Sequence, residues 1–206
     1  MNVNLNLPLL FLASVLPDID LLIPGLVHRG PLHSALLFCL LFLPIFALYK
    51  KRAAPYFIAV IQHVAIGDYI TGGGLQLLWP LTTETYSASV HICMTSLTNM
   101  AFEWSLFLIS TAFMFKTKDI LLLFTSHTSN MILAIPTLTV LLPTIISFPI
   151  YVPLGLLIPH IIYLILFTIP IIIDLKAIFT KKRNHNRTLK TAATSPLIMS
   201  TPEIFN

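Results

Sequence analysis

The sequence predicts an all-helical protein embedded in a membrane as a polytopic bundle of about five to six spans. Three observations carry this. The first is composition: of 206 residues, 56% are hydrophobic and only 10% charged, with a mean hydropathy of +0.88. A soluble domain carries about 25% charged residues, so this chain cannot cover a globule with polar side chains, and lipid must take their place. The second is the recurrence of apolar segments separated by prolines, basic runs and polar loops. The third is charge placement. Laid across a bilayer in alternation, the segments put every one of the twelve basic residues except Arg29 on one side, the mark of cytoplasmic loops. Both termini then face the cytoplasm, and the net charge of +4 reads as topology rather than as a nucleic-acid surface.

Leu5 to Leu16 is apolar but short of the roughly 20 residues that a span needs. Pro17 ends it by disfavouring helix at the residue before it. The N-terminus lacks the basic region of a cleavable signal peptide, so the later segments are expected to direct insertion. Pro31 suits the first turn of a helix, and His33 to Tyr49 is the next apolar segment, closed by Lys50-Lys51-Arg52. Tyr56 to Ile70 follows, carrying His63 and Asp68. A polar loop is expected from Thr71 to about Thr98, then apolar segments over Met100–Phe115, Asn130–Phe148 (kinked by prolines) and Pro153–Asp174. Residues 1–175 form the expected bundle, and the basic remainder, 176–206, is expected to be a disordered cytoplasmic tail. Cys39 and Cys93 have no metal or redox spacing and read as small buried hydrophobes.

Two stretches stand out from the oil. Pro17-Asp18-Ile19-Asp20 and His28-Arg29-Gly30-Pro31-Leu32-His33-Ser34 form one; His63, Asp68, Thr71 and Gly72-Gly73-Gly74 form the other. The alternation puts both on the extracytoplasmic face. Ionisable residues beside membrane spans are costly, and several together need mutual compensation. A divalent cation compensates carboxylates and accepts neutral imidazoles at once. Mixed His/Asp ligation fits zinc, with manganese or iron as second choices, and two-metal sites commonly serve phosphoester hydrolysis. In an extended segment Asp18 and Asp20 would point the same way. His63 and Asp68, five apart, lie about 140° apart round an ideal helix, so they share a face only if the helix loosens, for which Gly67 and the glycine run give room. Arg29 suits a clamp on a substrate anion. Thr71, Glu103 and His91 are candidate supports for the ligands.

At these residues the chain resembles the YdjM-like, LexA-regulated membrane-bound metal-dependent hydrolases: P-D-I-D, then H-R-G-x-x-H-S, then H-x-x-x-x-D-x-x-T-x-x-G with L-x-W-P, over roughly Leu9 to Leu81. The resemblance implies a multi-pass inner-membrane protein, distantly related to zinc-dependent phospholipases C, with metal ligands at Asp18, Asp20, His28, His33, His63 and Asp68. Family members usually begin with a longer helix bearing a Thr-His pair before P-D-I-D. That pair is missing here, which implies a later start or one ligand fewer.

The expected function is hydrolysis of a phosphoester of a lipid-like substrate at the outer membrane face. The cation would activate water, Arg29 would neutralise the substrate anion, and an aspartate such as Asp20 would serve as base. The alternatives are a non-catalytic membrane protein with a structural metal or polar cluster, and a transporter.

Overall fold

A computed structural model describes residues 5–71, 73–88, 92, 95–147 and 151–194, with backbone only for 142 and 185–194. The protein is all-helical. Among the described residues there is no β-strand, only one antiparallel bridge between Leu75 and Tyr86. Among the described residues, seven α-helices follow in order: α1 (Leu7–Ser14), α2 (Ala35–Tyr49), α3 (Ala54–Gln62), α4 (Leu97–Thr117), α5 (Asp119–Leu123), α6 (Ala134–Ile146) and α7 (Leu157–Thr194). Short 3-10 turns and one π-turn join them.

Local chemistry sets the helix starts. Asn6 caps α1, accepting from the Leu9 N–H at 3.0 Å, with Pro8 in the first turn. Ser34 caps α2 and Ser96 caps α4 in the same way. Lys50 ends α2 at φ 51° and lets the chain reverse into α3.

The packing turns ordinary burial inside out. Phe38, Phe42, Val60, Val64 and Leu75 form one small core with Ala13 of α1; Leu7, Leu123, Leu133 and Phe167 form a second. Outside these, the helices show hydrocarbon to their surroundings: Leu43 of α2, Ile109 of α4 and Ile165 of α7 are 63%, 67% and 52% exposed. Lipid is the medium in which such a surface is stable.

Two helical stretches, Thr128–Ile146 and Leu154–Asn184, are long and apolar enough to cross a membrane. Of the remaining apolar segments, α2 and α3 are shorter than a span, whereas α4, with 21 residues, is longer than the Met100–Phe115 segment expected but less apolar than a span requires. Helix α2 has 15 residues, about 22 Å at helical rise, against a hydrocarbon core of about 30 Å. Helix α1 has only 8 residues and packs among the others. Helix α7 does not stop near Asp174 as expected; it runs on through Lys176, Lys181, Lys182 and Arg183 to Thr194. Lysine and arginine are good helix formers, so the switch to charge ends the apolar stretch without ending the helix. Residues 195–206 lie outside the described residues. Cys39 is exposed on α2, not buried, because it lies on the outward face of that helix; Cys93 and His91 lie outside the described residues.

The bundle has two polar ends. Helix α2 leaves His33 at one end and reaches Lys50–Arg52 at the other, where the chain turns back into α3. The first end gathers the turns Pro17–Leu22 and Pro31–His33, the π-turn His63–Asp68 and the loop 73–88. The second gathers the Asn6 N–H bound to the Tyr56 hydroxyl at 3.0 Å and the segment Ser126–Asn130 bound to Asp174.

Candidate metal centre

The centre is built by four local devices. Residues Pro17–Leu22 form a 3-10 turn, not the extended segment expected. Pro17 supplies its first-turn residue, and the tight winding points Asp18 and Asp20 to different sides. They do not share one direction; they take His33 from its two nitrogens.

Gly30 allows the second device. A Cβ there would sit 2.8 Å from the Val27 carbonyl oxygen, so only glycine fits. The turn closes with Gly30 N–H on Val27 O at 3.0 Å and His33 N–H on Gly30 O at 3.0 Å.

Ser34 is the third. Fully buried, it caps α2 and donates toward the carbonyls of Leu77 at 3.0 Å and Trp79 at 2.7 Å. With Gln76 N–H on Arg29 O at 3.2 Å, this ties the loop after the glycine run to the His28–His33 segment.

The fourth is the π-turn His63–Asp68, where the Tyr69 N–H reaches Val64 O at 3.0 Å. An i→i+5 turn brings residues five apart onto one face. The Nε2 of His63 accordingly lies 3.3 Å from Asp68 Oδ2. Thr71, buried, donates its hydroxyl to the Gly67 carbonyl inside this turn. It supports the loosened backbone rather than any of the six polar side chains.

All six converge. His33, fully buried, is the hub. Its Nε2 lies 3.3 Å from Asp18 Oδ1 and 3.4 Å from Asp68 Oδ2, and its Nδ1 lies 3.3 Å from Asp20 Oδ2. The Nε2 of His63 is 3.3 Å from Asp18 Oδ1, and the Nδ1 of His28 is 3.2 Å from Asp20 Oδ1. Two groups of three have ligand atoms close enough to share an ion: Asp18, His33, His63 and Asp20, His28, His33. Arg29, at φ 63°, turns its Nε to within 3.3 Å of Asp68 Oδ1. The anion clamp expected from sequence is thus anchored on a carboxylate of the cluster. Glu103 stands on α4, close enough for the charge of His63 to act on it.

The charge balance is tight. Burial works against ionisation of Asp18, but the charge of His63 and the bonds to His33 and His63 outweigh it and hold the carboxyl well below its ordinary range. Burial is likewise outweighed at Asp20, lowered by His28 and His33. At His33 burial opposes protonation, yet Asp18 and Asp20, then the charge of Asp68, raise it above its ordinary value.

The residues fit a divalent cation on three counts. Separations of 3.2–3.4 Å are long for N–H···O bonds, whose mode is about 2.9–3.0 Å. They match the spacing of neighbouring ligand atoms round a tetrahedral zinc, about 3.3–3.4 Å for bonds of about 2.0–2.1 Å. Asp20 Oδ2, His33 Nδ1 and Asp68 Oδ2 are buried and meet only one another and His63, at 3.3–3.4 Å and without hydrogen-bond geometry, weak compensation for buried polar atoms. Three carboxylates against one guanidinium leave two negative charges, which one divalent cation cancels.

Sequence reasoning missed the opposite end. Asp174, 2% exposed, accepts at Oδ1 from the Ser126 hydroxyl and the His127 N–H, both at 2.8 Å. Asn130, equally buried, donates to Thr125 O at 2.9 Å. The available signal was a lone carboxylate at the foot of an apolar segment. His127 pairs locally with Ser129 and His160 with Leu156 O, so neither reaches a site.

Fold and site together define a class: a helical membrane protein with an Asp/His cluster at one end of its bundle. The family model described as YdjM inner membrane protein matches residues 2–152, and the chain belongs to that family. The match extends well beyond the motif-bearing stretch Leu9 to Leu81. No curated protein and no solved structure matches the chain.

Proposed function

We propose that the chain is a membrane-bound, metal-dependent hydrolase acting on a phosphoester or lipid-like substrate at the outer membrane face, in a bundle of about five to six segments with both termini in the cytoplasm. The observation that carries this reading is the ring of ligand atoms around His33. Asp18, His33 and His63 hold the cation, with Asp68 against both Nε2 atoms; Asp20 and His28 adjoin on the far nitrogen of His33. The donor set suits zinc, with manganese or iron next. A bound divalent cation supplies Lewis acidity toward a phosphoryl oxygen and a lowered pKa for water.

The chain's own groups do the rest. Arg29 fixes Asp68 and adds positive charge beside the cluster. Asp20 holds His28 and His33 by its two oxygens. A carboxylate kept ionised by two imidazoles is a weak proton acceptor, which favours this holding role over the general base expected from sequence. Thr71 maintains the π-turn, and Glu103 on α4 feels the charge of His63.

The test is phosphoester turnover by detergent-purified protein, loaded with zinc, beside its His33→Ala variant. Zinc-dependent turnover lost in the variant supports the reading. Zinc binding without turnover on any phosphoester or lipid would reduce the centre to a structural one.

A further inference from the structure

Beside the cluster lies a cavity of about 310 Å³, walled by Leu21, Leu22, Ile23, Pro24 and Leu26 and closed on its polar side by Asp20 and His28. Its volume is at the small end of ligand sites: room for one narrow chain, not for a bulky head. Its outer rim is apolar and open, with Ile23 and Leu26 each 43% exposed and Val27 74% exposed. These residues lie in the non-helical stretch between the turns Pro17–Leu22 and Pro31–His33. Leu81 and Leu97, at the same end, are 80% and 78% exposed. A polar site with a hydrocarbon rim belongs at headgroup depth, where such side chains meet acyl chains instead of water.

We propose that this cavity seats the apolar chain of a membrane lipid whose phosphoester head lies against the Asp/His cluster. The substrate class is then a bilayer amphiphile with an anionic head and a slender chain, entering over Ile23 and Val27. The argument is complementarity on both sides: hydrocarbon walls for the chain, and a cation-holding cluster with Arg29 for the head. It rests on the metal reading above, and the test separates the two.

The probes are methylphosphonate and dodecylphosphonate, titrated calorimetrically into the zinc-loaded full chain in one fixed detergent. Each buried methylene is expected to strengthen binding about fourfold, so a chain seated over even three methylenes gains more than tenfold over methylphosphonate. Partition of the longer probe into micelles is cancelled by repeating both titrations with Ile23→Ser and with Leu22→Ser/Ile23→Ser. The expected result is at least a tenfold fall in the dodecyl-to-methyl preference in the double variant, with zinc content and methylphosphonate affinity held. An unchanged preference in both variants overturns the chain seat while leaving the metal reading intact. Failure of both phosphonates to bind the zinc-loaded wild type overturns the metal reading and this inference with it.

Discussion

The two ends of the bundle each bury a carboxylate beside histidine and serine, yet they solve the problem differently. At the Asp174 end one oxygen takes two donors at 2.8 Å, the hydroxyl of Ser126 and the N–H of His127. These are charge-assisted bonds of ordinary length, and the second oxygen, Oδ2, stays buried without a hydrogen bond, so the two ends differ in contact length and in how many charges they gather. At the His33 end three carboxylates and three imidazoles stand 3.2–3.4 Å apart, and three buried atoms have no hydrogen bond. Short bonds mark a lock. Longer, crowded contacts suit the cation proposed above.

The comparison breaks first on metal removal. Chelation is expected to lower the thermal midpoint of the wild-type protein strongly, since a cation held at a thousandfold its Kd contributes about 4 kcal/mol. The same treatment leaves the Asp174 lock untouched, so Asp174→Ala should show an undiminished response to chelator. A melting curve indifferent to chelator in the wild type would place both ends in the same class.

Next comes removal of the lock. Asp174→Ala strands the Ser126 hydroxyl and the His127 N–H in a buried seam, at a cost of about 2–4 kcal/mol. Metal content should not change. Thermal unfolding in detergent, read beside metal analysis, checks both halves, and loss of metal in this variant would show that the ends are not independent.

Acid should act on the His33 end through competition for its imidazoles. His33 holds its proton above its ordinary pKa because of Asp18 and Asp20, and a cation must displace that proton. Zinc affinity is therefore expected to fall as pH drops and to go on rising above about 6.5, the ordinary histidine value. Zinc titrations between pH 6 and 8 measure it; a flat profile contradicts the assignment.

The smallest effect concerns support. Ser34→Ala loses the α2 cap and the tie to Leu77 and Trp79, about 1–2 kcal/mol, with a modest drop in zinc affinity because His33 is the preceding residue. Equal zinc affinity in the variant would show that the loop does not position the centre.

Much of this was legible in the sequence. Composition alone called for a helical chain covered by lipid, and the family follows from the ordered motifs. The approach of His28 and His33 to His63 and Asp68 was readable because six ionisable side chains in oil need one another. What pattern supplied only in part was local winding. The loosening that His63 and Asp68 need was foreseen at Gly67, and the π-turn supplies it; the winding around Asp18 was not. An extended reading aligns Asp18 with Asp20, whereas the 3-10 turn sets them on opposite nitrogens of His33. Charge at Lys176 to Lys190 could not mark a helix end, because the same residues favour helix. Asp174 escaped notice because its partners, Ser126 and His127, lie in a distant segment with no motif.

The most direct measurement is the zinc content of the detergent-purified full chain, wild type beside His33→Ala. At least one tightly held equivalent in the wild type and none in the variant is the predicted result. A wild-type protein that takes up no divalent cation, or a variant that binds as much as the wild type, would contradict the account.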